Sequence, residues 1–243
     1  YSYYYDQIVS IGELISSKIM SAYLADNGFD NKWVDVRDVM RTDNNYRNAR
    51  VNWDITSSLV KKHIIHNCSI TQGFIGCTSD NFTTTLGREG SDFSAAIISS
   101  CLEVKELVIW KDVPGMMNAD PKIFSNAKLF DSMSFDEAIE LAFFGAKVIH
   151  PRTIQPLKKK NIHLRVKSFI NPDHEGTLIA EGIDTFPSMP SYIIKNQQIL
   201  LSISDKNLSF IVEDHMSKIF SLLSLYSVSV NMMQNSAVSF SIC

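Results

Sequence analysis

The sequence has 243 residues, 45% of them apolar and 20% charged, as in an ordinary globular protein with one domain or one domain and a smaller module. A formal net charge of −3 excludes a strongly basic surface for nucleic acid or anionic membranes. We recognise no secretory leader and no apolar run long enough to cross a bilayer, so we expect no membrane association. The cysteines form no C-x-x-C pair, which favours reduced thiols in a cytoplasmic protein: Cys68, Cys77, Cys101 and Cys243.

The first predicted element is a helix over residues 8–24, which Asn27-Gly28 would end. Its apolar residues recur at helical spacing and predict one buried face: Ile11, Leu14, Ile15, Ile19 and Tyr23. Glu13 follows Gly12 in the string SIGE, at the predicted N-terminal end of this helix. A carboxylate there stabilises the helix dipole, so a purely structural role for Glu13 stays open.

A short strand over 33–36, a helix over 56–66 and a strand over 70–77 are predicted next. His63 and His66 lie one helical turn apart, but no third ligand is near them, so we predict no metal ion bound by protein side chains. Phe74 lies within the second strand, where packing in the sheet is a sufficient explanation of an aromatic residue.

The most informative segment is Thr83–Ala96, which reads TTTLGREGSDFSAA. Its two glycines allow a close backbone approach to a ligand. Ser91 and Asp92 are predicted to cap a helix over 95–102, whose free N–H groups would favour an anion. Arg88 adds a planar guanidinium that can bind a carboxylate through two hydrogen bonds. The alternative is a loop that only caps a buried helix.

Two further polar strings follow predicted elements. A buried strand over 106–110 leads into KDVPGMMNADPK, and in open α/β sheets ligands bind where a strand ends in a turn. A helix over 134–144, with a serine cap, leads into GAKVIHP. Strands over 162–169 and 177–179 complete a domain that we place at residues 1–182.

A second module follows a Pro-punctuated linker at 183–190 and occupies residues 191–243. It is predicted to contain a strand over 199–203, a helix over 209–226 and strands over 228–232 and 238–242. The polar residues between the last two strands are typical of a simple turn.

These strings together resemble the aspartate kinase branch of the amino-acid kinase family. The similarity is carried by T-T-L-G-R-x-G-S-D-[FY]-[ST]-A-A, by S-x-G-E, by the K-D-V-P-G-M-M string with its D-P-K, and by F-G-A-K-V-I-H-P. The resemblance implies an α/β three-layer sandwich of the amino-acid kinase type with a mainly parallel central sheet. The β-α-β-β order after it resembles an incomplete, ferredoxin-like ACT regulatory module.

The resemblance also implies a site. Substrate binding falls on six residues: Glu13, Phe74, Thr85, Arg88, Ser91 and Asp92. Nucleotide binding falls on five: Lys111, Asp112, Met117, Lys122 and Lys147. The implied catalytic residues are Arg88, Asp92 and Lys147. Met117 stands where the family has tyrosine, and Lys122 where arginine is common, so a hydroxyl and a guanidinium fork are lost at these positions. A surface lysine is the alternative reading of Lys147.

The implied reaction is transfer of a phosphoryl group from ATP, with Mg²⁺, to the side-chain carboxylate of L-aspartate. The ACT module implies pairing into a homodimer or larger assembly and a lysine or threonine effector. Its candidate contacts are Asn231, Asn235 and Ser236, with residues 205–208 as a weaker candidate. The sequence does not decide which amino acid is the effector or whether a homoserine dehydrogenase domain follows in the full protein.

The family's K-x-G-G-T-S string, which ends its first strand, is absent from these residues. We therefore expect this polypeptide alone to be inactive and the full gene product to contain that segment. Two other functions remain open: a catalytically inactive amino-acid sensor on the same fold, and another amino-acid kinase such as a glutamate or acetylglutamate kinase. The second would lack both the GRxGSD string and an ACT module.

Overall fold

The computed structural model describes residues 1–146, 148–183, 189–204, 213–228 and 230–243. These residues form two compact units, Tyr1–Ile193 and Ile194–Cys243. Among the residues considered above, Lys147, most of the predicted linker and the weaker effector segment 205–208 lie outside the described ranges.

Helices and strands alternate along the first unit. Its helices are α1 Ser2–Asp26, α2 Trp53–His63, α3 Gly90–Leu102, α4 Phe135–Phe144 and α5 Pro151–Lys160, with a 3-10 turn at Val36–Asp38. Its strands are β1 Lys32–Trp33, β2 Ser69–Ile70, β3 Ile75–Cys77, β4 Thr83–Thr85, β5 Glu106–Lys111, β6 Ser132–Ser134, β7 His163–Ser168 and β8 Thr177–Ala180. The predicted mixed α/β fold is confirmed.

Parallel strand pairs predominate in this unit. The largest sheet has the order β5-β7-β8-β6, in which β5 and β7 are parallel, β6 and β8 are parallel, and β7 and β8 are antiparallel. Strands β1 and β2 form a short parallel pair, and β3 and β4 an antiparallel pair. Parallel pairs need a crossover connection, which the intervening helices supply.

Helix α3 lies between two hydrophobic clusters. Its Ala96 belongs to a cluster built on the four-stranded sheet, together with Ile109, Leu164 and Ile154. Its Phe93 and Ile97 belong to the other cluster, which includes residues in or next to β3, β4, α2 and the 3-10 turn: Val36, Met40, Val60, Ile75 and Leu86. Burial on both sides holds α3, so the groups at its N-terminus have a fixed position relative to the sheet.

Helix α1 buries the opposite face to the one predicted. It begins at Ser2 rather than near residue 8, and its buried residues are Asp6, Ser10 and Ser17. Most of the predicted apolar face is exposed, including Ile11 and Ile19; among its members, Leu14 packs against the core. The polar residues face inward because distant parts of the chain offer them hydrogen bonds, such as those from Trp33 Nε1 and Gln72 Nε2 to Ser17 Oγ.

By length and composition alone, α1 is also apolar enough to cross a bilayer, with a mean hydropathy of 1.3. The expectation that no segment reaches that length was therefore wrong. The buried hydrogen bonds of its polar face show that α1 packs as part of this fold.

Two other expectations need correction. Strand β5 is only partly buried: Val108 and Trp110 are exposed and Ile109 is buried. Because alternate residues of a strand point to opposite faces, one face of this edge strand is uncovered. The predicted strand over 70–77 is two strands, β2 and β3, separated by a turn at Phe74. The serine cap of α4 is confirmed: Ser134 and Glu137 form a complete capping box.

The second unit contains the predicted β-α-β-β order. Its elements are β9 Leu201–Ser204, α6 Glu213–Leu225, β10 Met233–Asn235 and β11 Ser239–Ile242, and its antiparallel sheet has the order β10-β11-β9. The phenyl rings of Phe220 on α6 and Phe240 on β11 lie 5.8 Å apart. The third predicted element begins later than expected: Met233–Asn235 pairs with β11, whereas the prediction was 228–232.

Candidate active site

The segment Thr83–Ala96 forms a strand, a tight turn and a helix. Thr83–Thr85 is strand β4, and α3 begins at Gly90 after Glu89, which adopts a left-handed φ of 52°. The prediction that Ser91 and Asp92 cap the helix was wrong, because both lie in the first turn of α3. A carboxylate in this turn is favoured by the helix dipole, so Asp92 still contributes to the charge at this end.

Two glycines make this turn possible. Gly87 has a φ of +80°, which a residue with a Cβ rarely adopts. At Gly90 a Cβ would lie 2.7 Å from Cδ2 of Phe74, so the Phe74 ring occupies the space that a side chain there would need. The glycines therefore bring the β4–α3 turn against Phe74.

Phe74 adopts an unusual backbone conformation beside this turn. Its φ is +70°, and the N–H of Ile75 donates to the carbonyl of Gly73 at 2.8 Å, which makes a γ-turn. A bulky residue with positive φ is strained unless its surroundings hold it. The Phe74 N–H donates to Ser94 Oγ on α3 at 2.8 Å, and so α3 helps to hold the turn.

An ion pair joins the N-terminus of α3 to the carboxyl end of β5. Lys111 Nζ donates to Asp92 Oδ2 at 2.6 Å, and the two side chains are only 25% and 13% exposed. The sequence placed Asp92 on the amino-acid side and Lys111 on the nucleotide side. The structure puts these two groups in direct contact, so the two halves of the predicted site are adjacent.

Arg88 projects from the turn into solvent. Its side chain is 72% exposed, and its described partner is Glu89, with Nε 3.8 Å from Oε1. Ser91, at the start of α3, is also exposed. Gly73 also lies against the start of α3, since a Cβ on Gly73 would be 2.9 Å from the Cα of Ser91. The turn thus offers a guanidinium, a hydroxyl and helix N–H groups on one accessible surface.

Arg152, at the start of α5, is a contributor that sequence reasoning missed. Its Nη1 donates to the Leu86 carbonyl and to Asn48 Oδ1, both at 3.0 Å, and its guanidinium lies 4.6 Å from the centroid of the Phe93 ring. Burial lowers the pKa of this guanidinium. Arg152 therefore fixes the backbone of Leu86, the residue before Gly87. In the sequence, the only signal for this role is that Arg152 directly follows the H-P of the family's F-G-A-K-V-I-H-P string.

Thr85 supports the turn from inside the protein. It is buried, its N–H donates to Asp6 Oδ2 at 2.8 Å, and its hydroxyl donates to Asp6 Oδ1 at 2.9 Å. Its predicted role as a substrate contact does not fit this geometry, because the side chain is buried and its hydroxyl hydrogen is already donated to Asp6. Asp6, which sequence reasoning missed, thereby joins α1 to the end of β4.

Glu13 lies in the middle of α1, not at its N-terminal end as predicted. It is half-buried, and no hydrogen bond or ion pair of its carboxylate is found among the described residues. The dipole explanation of Glu13 is therefore wrong, because a mid-helix carboxylate lies far from the terminal N–H groups.

The segment after β5 leaves its polar residues accessible. Asp112 and Lys122 are exposed, and Met117 is half-buried opposite Leu129 in an isolated bridge. The backbone is fixed from beneath: Thr177 Oγ1 donates to the Phe130 carbonyl at 2.6 Å and accepts from the Met116 N–H at 2.9 Å. Thr177 is thus a structural residue that positions this segment.

In the second unit, the predicted effector residues make local hydrogen bonds. Asn231 Oδ1 accepts from Lys195 Nζ at 2.8 Å, and Asn231 Nδ2 donates to Gln198 Oε1 at 2.5 Å. Ser236 closes a turn, because its Oγ accepts from the Ser239 N–H at 3.1 Å. Asn235 ends β10 and is exposed. These contacts agree with the simpler alternative of a turn at Ser236 and leave an effector role as a prediction.

Known proteins resemble this chain over almost all of its length. Lysine-sensitive aspartokinase 3 of Escherichia coli is 34% identical over an alignment of 238 positions, which covers 96% of this chain and 53% of that protein. Aspartokinase 1, chloroplastic, of Arabidopsis thaliana is 34% identical over an alignment of 246 positions, which covers 98% of this chain and 43% of that protein. The chain thus spans about half the length of these curated relatives.

The fold gives the same result. The solved structure of E. coli aspartokinase III in complex with lysine and aspartate superposes with a TM-score of 0.85 at 33% identity, covering 100% of this chain and 55% of that one. The structure of the same enzyme with aspartate and ADP gives a TM-score of 0.84. A profile of the amino acid kinase family matches residues 3–168. The resemblance inferred from the motifs is confirmed, and the chain belongs to the amino acid kinase family.

Proposed function

We propose that this chain forms the core of an aspartate kinase, which transfers the γ-phosphoryl group of ATP to the side-chain carboxylate of L-aspartate. The observation that best supports the proposal is the contact between Asp92 and Lys111, because the resemblance assigns these two residues to the amino-acid side and the nucleotide side of one site. The likeness to an aspartokinase whose structure contains aspartate and ADP supports the same pair of ligands.

The amino-acid side is proposed to recognise both charges of aspartate. Arg88, exposed and only weakly paired, is suited to bind a carboxylate through two hydrogen bonds. Asp92, with Glu13, is suited to the ammonium group, and Ser91 and the free N–H groups of α3 supply further donors. Phe74 borders this surface. Thr85 supports the loop from beneath.

The nucleotide side is proposed to comprise Lys111, Asp112, Met117, Lys122 and Lys147. The acceptor carboxylate is already an anion, so no residue has to remove a proton from it. Catalysis then depends on holding two anions in line and neutralising their repulsion with lysines and N–H groups. No cluster of three potential metal ligands occurs in the described residues. Mg²⁺ would therefore enter with the nucleotide, mostly bound to phosphate oxygens, and would neutralise charge on the transferred group.

The second unit is proposed to be an ACT-type regulatory module. Its antiparallel sheet and β-α-β-β order fit that proposal. An E. coli relative is named lysine-sensitive, which favours lysine over threonine as the effector. A homodimer or larger assembly formed through these modules, and a cytoplasmic location, belong to the same proposal.

Calorimetric titration of the chain with L-aspartate and with Mg·ADP tests the assignment. We expect Arg88→Ala to weaken aspartate binding by roughly 10- to 100-fold, as expected for loss of a charge-assisted contact, and to leave the affinity for Mg·ADP unchanged. Arg165→Ala is the control, because Arg165 pairs with Glu106 at the start of β5, at the other end of that strand from Lys111. Loss of nucleotide binding with retention of aspartate would mean that the two sides of the site are reversed.

The same titration separates the kinase from the alternative function of a sensor. If the protein is a pure amino-acid sensor on this fold, the wild-type chain should bind an amino acid, and neither the wild-type chain nor Arg88→Ala should bind Mg·ADP. Binding of glutamate or acetylglutamate in place of aspartate would instead indicate another amino-acid kinase.

A further inference from the structure

A surface cavity of about 720 Å³ lies in the first unit. It is bordered by the chain at residues 41–43 and 50–52, by Ile55 on α2 and by the loop that joins β3 to β4. Its volume is within the range of roughly 300–1,000 Å³ that is usual for small-molecule sites. None of the residues proposed above for aspartate or nucleotide lines it, so its ligand would be a separate one.

Arg41 is held rigidly at one wall of this cavity. Its backbone N–H donates to Thr56 Oγ1 at 3.0 Å, and its carbonyl accepts from the Asn52 N–H at 2.8 Å. Its Nη1 donates to the Thr78 carbonyl and to Asn81 Oδ1, both at 3.1 Å. All of these side-chain acceptors are neutral, and no ion pair of Arg41 occurs in the described part of the chain. Its positive charge is therefore positioned but not neutralised.

Arg50 adds a second positive charge to the lining of the same cavity. Its side chain is exposed, and within the described ranges its guanidinium makes no hydrogen bond or ion pair. The carboxylate of Asp43 also lines the cavity, but its Oδ1 already accepts from the N–H groups of Asn45 and Arg50 at 3.1 and 2.9 Å. Two arginines and one aspartate leave a formal lining charge of +1.

We propose that this cavity, lined by Arg41 and Arg50, binds a small metabolite that carries a phosphate group. Two guanidinium groups are matched in charge better by a phosphate, which has three free oxygens and a charge near −2, than by a carboxylate with a single negative charge. Asn81 and Asn52 supply further polar groups. The side-chain oxygen of Asn52 caps α2, so its amide N–H₂ is the group that could face a ligand. Ile55, 50% exposed, and Val51 form an apolar wall that suits a short carbon skeleton beside the phosphate.

Titration with inorganic phosphate and with glycerol 3-phosphate tests this site, followed by calorimetry and by the fluorescence of Trp53, which is exposed at the start of α2. We expect Arg50→Ala to weaken binding of both probes at least about tenfold, since a charged hydrogen-bonding group is lost. The affinity of Arg50→Lys for both probes should lie between that of Arg50→Ala and that of the wild type, because lysine keeps the positive charge and loses the planar, two-pronged guanidinium. Arg50 is the residue to replace because it is exposed, so the melting temperature should not change.

Three results would overturn the proposal. One is the absence of phosphate binding by the wild-type chain up to about 10 mM, which is weaker than ordinary metabolite affinities. Another is loss of binding in Arg88→Ala with retention in Arg50→Ala, which would place the phosphate at the kinase site. The third is tighter binding of succinate than of glycerol 3-phosphate, which would indicate a carboxylate ligand. Retention of phosphate binding in Arg88→Ala supports the proposal.

Discussion

Asp6 is the one charged side chain in the described ranges that is completely buried. Its carboxylate accepts three hydrogen bonds: from the Thr85 N–H, the Thr85 hydroxyl and the Arg47 N–H, at 2.8–2.9 Å. A buried carboxylate is tolerated only when donors replace the water that it has lost. Asp6 therefore fixes β4, and with it the turn that presents Arg88, to the first turns of α1.

Replacing Asp6 with alanine should destabilise the protein by about 2 kcal/mol or more, because the buried N–H groups of Thr85 and Arg47 would lose their acceptor. Urea unfolding measures the change. Asp26→Ala is the matched control, since Asp26 is exposed at the end of α1 and should change stability by less than about 0.5 kcal/mol. Equal stability of the two variants would contradict this account of Asp6.

The thiols should differ in reactivity. Burial raises the pKa of Cys77, against the opposing charge of Arg41, and burial also raises the pKa of Cys101. A raised pKa leaves less thiolate at any given pH, and both side chains are shielded, whereas Cys68 is exposed. At pH 8 we expect iodoacetamide to label Cys68 first, with mass spectrometry as the readout. Cys68→Ser should remove the fast phase, and rapid labelling of Cys77 in the folded chain would contradict the prediction.

Single residues were predictable where a long motif names them and hidden where a distant contact decides their role. Asp92 and Lys111 stand in strings that resemble those of the family, and the contact between their side chains agrees with the prediction that they belong to one site. Arg152 and Asp6 owe their roles to partners more than 60 residues away, Leu86 and Thr85. No local pattern indicates such a contact, because either residue would be unremarkable on a solvated surface.

At the scale of elements, the connection from β7 to β8 depends on glycine. Gly176 has a φ of +70°, and a Cβ there would lie 2.0 Å from the carbonyl oxygen of Val166 in β7. The antiparallel pairing of Val166 with Thr177 thus requires a residue without a side chain just before β8. Thr177 in turn holds the segment that we assign to the nucleotide.

Gly176→Ala should lower the free energy of unfolding by more than about 3 kcal/mol or prevent folding, since a backbone clash adds to the strain of the left-handed conformation. Gly182→Ala provides a control with the same φ of +70° and no atom within 4 Å of the added Cβ. It should cost only about 1 kcal/mol, from backbone strain alone. Urea unfolding of both variants measures the difference, and equal losses would show that the clash is relieved elsewhere.

The elements themselves were predicted well in type and less well in orientation. Period and capping signals located α2, α4, β7 and β8 to within a few residues, because those signals are local. Which face of α1 is buried depended on strands that arrive later in the chain. The turn at Phe74 was also hidden, because its positive φ is stabilised by Ser94 on α3 and not by its neighbours.

For the whole molecule, the outward face of α1 is a large apolar surface. Ile8, Ile15 and Ile19 lie on it and are 70%, 53% and 65% exposed. Contiguous apolar patches of this kind usually mark surfaces that contact another element or protein.

Replacing Ile8 and Ile19 together with serine should reduce binding of a hydrophobic dye and leave the free energy of unfolding within about 1 kcal/mol of wild type. Leu14→Ser should do the reverse and destabilise the chain by about 2 kcal/mol or more, because Leu14 packs against the core. Dye fluorescence and urea unfolding of the two variants decide the matter. A large loss of stability in the double variant would mean that this face is covered.

The ion pair between Asp92 and Lys111 has a consequence for the order in which ligands bind. A carboxylate that already holds one ammonium group at 2.6 Å is a poor partner for a second, so aspartate alone meets an occupied Asp92. In the proposed kinase, the phosphate groups of the nucleotide would draw Lys111 toward them and free that carboxylate. The two ligands should therefore be synergistic, with aspartate binding more tightly in the presence of Mg·ADP than in its absence and each raising the other's affinity by the same factor. In Lys111→Ala this mutual enhancement should disappear.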